Sequence, residues 1–180
     1  MRMYVKRITI LGMMAALSTV LTVLGTVISV NTVFFTAAAA FLVGIAVISY
    51  GMGTGTVYLC VCASLDFLVN PNRLHVFLYL ALAVYILICE GSYRGMAKMP
   101  AGRKKEWLHR LIRFLVFAVL YVFLLLFLPQ LLVSDKLFTR QWFLPVMLGV
   151  GVVVWIIYDF AYLEAKKWMT SRFSTLFHPD

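Results

Sequence analysis

The sequence predicts an all-α integral membrane protein: a single domain over 1–180, folded as a bundle of six transmembrane helices with both termini cytoplasmic. Three observations carry that expectation. Hydrophobic residues make up 63% of the 180 positions, against about 45–50% in a soluble domain. The apolar residues gather into six runs of near-spanning length, and the basic residues gather between alternate runs. A soluble domain of this size leaves too much of its chain facing water to hide so much apolar surface. Soluble enzymes and nucleic-acid-binding domains are thereby excluded, and the +9 net charge needs a membrane explanation.

A spanning helix takes about 20 apolar residues. The expected spans are 8–28, 32–50, 54–69, 74–93, 111–132 and 142–163. The first follows Arg2, Lys6 and Arg7 and lacks a small-x-small cleavage site, so it reads as a retained span and not as a cleaved leader. Between the second and third lies Gly51-Met-Gly-Thr-Gly55, whose glycines suit a tight interhelical turn. With the N-terminus inside, 13 of the 16 basic residues fall on the cytoplasmic side, leaving only Arg73, Lys136 and Arg140 outside. That asymmetry follows the positive-inside rule. Trp142 is expected at the outer interface, and Tyr93, Trp107, Tyr162 and Trp168 near the inner one. Residues 102–113 mix basic side chains with Trp107, Leu108, Leu111 and Ile112. They read either as a helix lying on the inner surface or as a solvated loop.

Small and hydroxylated residues mark the first span. Gly12, Ala15, Thr19, Thr22, Thr26 and Ser29 recur every three or four positions, which places them on one helical face. Such a face packs closely against another helix, either of this chain or of a partner subunit. The third span carries Thr54, Tyr58, Cys62, Asp66 and Asn70 at four-residue spacing. Asn72, Arg73 and His75 follow. An ionisable residue inside a span is costly and faces the bundle interior or a cavity. Asp66 therefore either pairs with Arg73 or helps line a polar site open to the outside. Asn31, Tyr79, Gln130, Arg140, Gln141 and Trp142 are further outward-side groups able to surround a ligand, with Lys136 beside them. At the other side, Asp159 is deep enough to bond a neighbouring helix, and Glu164 lies three residues before Lys167, in reach of a surface pair.

Catalytic signatures such as GxSxG, HExxH and GxxxxGK[ST] do not occur, so no enzymatic activity is expected. His75, His109 and His178 are scattered over both sides of the expected topology and form no metal site. Cys60, Cys62 and Cys89 sit in apolar runs and read as packing residues, not as disulfide or zinc ligands. No cofactor is expected.

The basic start, the segment Lys6-Arg7-Ile-Thr-Ile-Leu-Gly-Met-Met-Ala-Ala-Leu17 and the turn at 51–55 leading to Ser64-Leu-Asp-Phe-Leu-Val-Asn-Pro71 resemble the substrate-binding S component of energy-coupling-factor (ECF) transporters. The resemblance covers the whole chain in architecture and its first half in local pattern. It implies a bacterial cytoplasmic membrane protein that captures a vitamin-like nutrient from outside. It also implies docking, through small residues of the first helix, on a membrane T component driven by two cytoplasmic ATPases. The docking positions would be Gly12, Ala15, Ala16 and Thr19, with Gly12-x-x-x-Ala16 replacing the family's Ala-x-x-x-Ala. The metal-transporting members fit less well, since the N-terminus is not histidine-rich. Two other classes accommodate the same spans: a membrane scaffold of the rod-shape-determining type, and a subunit of a respiratory or ion-pumping complex using Asp66 or Asp159.

Overall fold

The structure is a computed structural model that describes residues 2–28, 32–96, 103–127 and 143–177. The described residues are helical, in six helices: α1 (Arg2–Val27), α2 (Thr32–Tyr50), α3 (Met52–Val69), α4 (Leu74–Gly95), α5 (Arg103–Phe127) and α6 (Phe143–Phe177). All six are long and apolar enough to cross a membrane, so the chain is a multi-pass membrane protein. Helix closes every backbone hydrogen bond within its own segment, which hydrocarbon demands. Their outward surfaces carry exposed apolar side chains such as Met13, Val57, Leu68, Val119 and Phe160, as lipid contact requires.

Several boundaries differ from the sequence expectation. α1 begins at Arg2, so the basic start forms its first two turns. The basic-aromatic segment at 102–113 is neither a separate surface helix nor a loop: from Arg103 it runs continuously into α5. Residues 128–132 of the expected fifth span lie outside the described residues. α6 has 35 residues, or about 52 Å at 1.5 Å per residue, well beyond a hydrocarbon core of about 30 Å. Tyr93, Trp107 and Trp168 are exposed, but Tyr162 is only 2% exposed and packs inside.

The chain divides into two compact units, Met1–Gly91 and Ser92–Asp180. In the first, α1, α2 and α3 pack closely because glycines remove the side chains that would hold them apart. A Cβ at Gly25 would meet Phe35 and the Thr32 carbonyl, and one at Gly55 would overlap Val47 of α2. Thr32 Oγ1 donates to the Gly25 carbonyl at 2.7 Å, tying the start of α2 to α1. The turn from α2 to α3 rests on Gly51, whose φ of 94° and ψ of 167° are open to glycine and strained for other residues. Arg7 secures the same end. Its Nη2 donates to the Tyr50 carbonyl at 2.7 Å and to Thr54 Oγ1 at 3.1 Å, and its guanidinium lies 4.7 Å from the Tyr50 ring centre. A cation there also meets the negative end of the α2 dipole.

In the second unit, α5 and α6 run antiparallel in a register that three contacts define. Arg113 Nη1 meets Asp159 Oδ1 at 2.7 Å with both side chains largely buried. Phe114 packs edge-on against Trp155 at 5.1 Å. Gly151 leaves room for the Tyr121 ring. Asp159 thus bonds a neighbouring helix, as its depth suggested. Glu164 pairs with Lys167 at 3.1 Å, an exposed contact of small energetic consequence. Near the start of the unit, His109 lies edge-on to Tyr93 at 5.8 Å, and Lys166 Nζ lies 4.5 Å over the Tyr93 ring.

Two stability measurements check these assignments. Gly51→Ala should lower unfolding free energy by about 1–3 kcal/mol, and Gly55→Leu by more, because bulk at Gly55 must separate α2 from α3. Detergent-titrated unfolding in mixed micelles reads both. In the second unit, Asp159→Leu should cost about 3–5 kcal/mol by stranding the Arg113 charge. The double variant Arg113→Met/Asp159→Leu should recover most of that loss, and an additive double variant would show that the pair does not act as a unit.

Candidate functional site

Hydroxyl groups on the lipid-facing surface are satisfied by their own helices. Thr9 donates to the Val5 carbonyl at 2.9 Å, Thr56 to Met52 at 3.0 Å, and Ser64 to Cys60 at 2.8 Å. This local bond removes the cost of an unmet donor in hydrocarbon. Inside the first unit the pattern changes. There, polar side chains of α1, α3 and α4 form a buried column.

α3 supplies one edge of it. Tyr58, Cys62, Asp66 and Asn70 follow at four-residue spacing and are all buried, Cys62 and Asp66 completely. From Tyr58 to Asn70 the ridge covers about 18 Å of helix axis. Opposite stands a second four-residue ridge on α1, formed by Ser18, Thr22 and Thr26. Two hydrogen bonds join the ridges: Thr22 Oγ1 to Asp66 Oδ1 at 2.6 Å, and Thr26 Oγ1 to Asn70 Oδ1 at 2.9 Å. α4 adds Tyr79, fully buried, and, one turn earlier on the same helical face, His75, half-buried. One end of the column therefore lies where α1 and α3 finish and α4 begins.

Local structure explains how α3 hands over to α4. Asn70 ends α3, its backbone N–H bonding the Asp66 carbonyl at 2.8 Å. Its Oδ1 also accepts from the Asn72 N–H at 3.2 Å, and Asn72 Oδ1 accepts from the Leu74 N–H at 3.1 Å. Such Asn-to-backbone bonds replace helical ones at a chain reversal. Asn72 is exposed and serves the start of α4, away from the column. Arg73 is exposed as well, its guanidinium 5.1 Å over the Phe67 ring. Of the two roles open to Asp66, pairing with Arg73 is therefore not the one adopted; its partner is Thr22.

Deeper in the column, Ser18, Tyr58, Cys62 and Tyr79 face one another. Even so, the hydroxyls of Ser18, Tyr58 and Tyr79 fall short of a hydrogen bond with any described residue. The same is true of Asp66 Oδ2, Asn70 Nδ2 and His75 Nδ1. A buried polar group without a partner costs about 1–3 kcal/mol, and six in one column form a concentrated demand for partners. Among the described residues no three His, Cys, Asp or Glu side chains lie close enough to hold a metal ion.

The expected site residues thus separate. Asp66, Asn70 and Tyr79 come together, with His75 one turn along α4 on the face of Tyr79; Asn72 and Arg73 stand outside. Asn31, Gln130, Arg140, Gln141 and Trp142 lie outside the described residues. Tyr79 sits beside Ser18 and Cys62. The expected docking face also divides. Ala15 is buried, Thr19 is half-buried with its hydroxyl bonded to the Ala15 carbonyl at 3.1 Å, and Gly12 and Ala16 are exposed. Ser18 is the residue the sequence reading missed. Its signal was the four-residue series Ser18, Thr22, Thr26, which matches the series on α3.

The column makes opposite demands at neighbouring positions. Thr22→Val should destabilise by about 1 kcal/mol, typical of an interhelical hydrogen bond in a membrane. Ser18→Ala, which removes an unpartnered hydroxyl, should be neutral or stabilising in the solute-free protein. Unfolding in mixed micelles measures both, and a large loss for Ser18→Ala would show that its hydroxyl is already satisfied. No family model, curated protein or solved structure matches the chain.

Proposed function

We propose that this chain is the substrate-capture subunit of an ECF-type importer in a bacterial cytoplasmic membrane. In this reading it takes a small, vitamin-like organic nutrient from the outer side and docks on a T component driven by two ATPases. The observation that carries it is the buried polar column of α1, α3 and α4. Six polar atoms there lack partners among the described residues, inside a unit whose outer surface is built for lipid. A packing scaffold gains nothing from unmet polar groups at its centre, whereas a binding site supplies their partners when its solute enters.

The exposed part of α1 supports the docking half of the proposal. Gly12 and Ala16 form a small-residue step on the surface, beside the exposed side chains of Met13 and Leu17. No described atom lies within 4 Å of a Cβ placed at Gly12. Close helix approach needs such steps, because lipid supplies no hydrophobic drive between helices. Ala15 faces inward and takes no part in docking, and Thr19 stands at the border.

Purification in mild detergent, with mass spectrometry of retained proteins, tests the assembly. A T component and two ATPases should be retained, and Gly12→Leu/Ala16→Leu should abolish their recovery while leaving solute binding unchanged. Binding itself is read across a vitamin panel by thermal unfolding. A ligand at 100 times its Kd adds about 2.7 kcal/mol to stability. Retention of cell-wall or cytoskeletal proteins without an ATPase, together with no stabilisation across the panel, would favour the scaffold.

A further inference from the structure

We infer that the column selects a small organic cation carrying at least two N–H donors, such as an ammonium, amidinium or amino-substituted heterocycle. The inference rests on the capture reading above and names its substrate class. It follows from counting protons and charges in the column.

Around Asp66 and Asn70 each threonine proton is shared between two acceptors. The Thr22 hydroxyl has one proton and two acceptors in reach, Asp66 Oδ1 at 2.6 Å and the Thr19 carbonyl at 2.9 Å. Thr26 repeats the situation one turn on, with Asn70 Oδ1 at 2.9 Å and the Thr22 carbonyl at 3.1 Å. The Asn72 N–H fixes which end of the Asn70 amide is oxygen, because a nitrogen there would oppose two donors. Asp66 Oδ2 accepts nothing from any described residue. Only Asn70 Nδ2 is a surplus donor without acceptor capacity. The remaining open groups, three hydroxyls and His75 Nδ1, adapt to either role.

Charge points the same way. Asp66 is fully buried and makes no ion pair with a described residue. The described lysine and arginine side chains of its unit are committed or remote: Lys6 is exposed on the first turns of α1, Arg7 is held by Tyr50 and Thr54, and Arg73 stacks over Phe67. A buried carboxylate without a counter-charge is among the most costly groups a membrane interior can hold. A ligand that brings a positive charge and N–H donors satisfies both Asp66 oxygens and releases the Thr22 proton to the Thr19 carbonyl. Charge-assisted bonds of that kind are about twice as strong as neutral ones. An anion would find no lysine or arginine among the described residues of the column. An inorganic cation would lack the cluster of ligating side chains a dedicated metal site uses.

Charge selectivity on the wild-type protein tests this without relying on any variant. The full chain in lipid nanodiscs is titrated with benzamidinium, benzylammonium, benzyl alcohol, benzoate and sodium chloride, following thermal unfolding. Benzamidinium and benzylammonium should stabilise saturably, and the alcohol, the anion and the salt should not. Asp66→Asn, checked for folding by size-exclusion profile and helical circular dichroism, should weaken benzamidinium binding about tenfold or more. Arg73→Ala should leave it unchanged. Equal stabilisation by benzyl alcohol, benzoate or sodium, no response to either organic cation, or full retention of benzamidinium binding by a folded Asp66→Asn protein would each overturn the inference. Failure of the capture reading looks different: no member of a panel of cationic, neutral and anionic vitamins would bind.

Discussion

The bond from Thr22 to Asp66 sets the terms for the rest of the first unit, because it places a carboxyl group at the centre of helices otherwise built for hydrocarbon. No water stands by in such an interior to complete a polar group's bonding. Every neighbour of Asp66 must therefore be chosen with its protons in mind. Thr26 and Asn70 repeat the arrangement one turn along, and Ser18, Tyr58, Cys62 and Tyr79 continue it inward. Two ridges at four-residue spacing keep these groups aligned, since residues four apart stack on one helical face.

Close packing makes that alignment possible. Gly25 and Gly55 let α1, α2 and α3 approach until side chains as short as serine and threonine lie between helix axes. Arg7 fastens the α2–α3 turn to the Tyr50 carbonyl and Thr54, while the unmet polar groups run along the column from Tyr58 to His75. The second unit solves its charge problem internally: Asp159 has Arg113, where Asp66 has only hydroxyl hydrogen.

How far the site was legible depended on what kind of evidence each residue left. Asp66 and Asn70 stood out because a carboxylate and an amide inside an apolar run have no cheap explanation. Ser18 did not, since a serine in a helix usually satisfies itself on the preceding turn, as Ser64 does. Arg73 misled through proximity in sequence. Seven residues from Asp66, it lies past the end of α3, where the chain has reversed and its side chain has Phe67 to rest on. Gly12 and Ala15 seemed to share a face, yet one is exposed and the other buried. Three-residue spacing turns about 300° on a helix of 3.6 residues per turn, enough to cross the edge of a contact.

Composition and the lengths of the apolar runs were sufficient to establish an all-helical membrane protein with six potential spans, because helix is the open-ended way to satisfy a backbone in lipid. The Gly51 turn was readable for the same local reason: few residues other than glycine tolerate its backbone angles. Which polar groups met one another was decided only by tertiary packing. Hydrogen bonding acts over about 3 Å, so the rotation of α1 and the start of α4 had to be set before Ser18, Asp66 and Tyr79 could be seen as parts of one column.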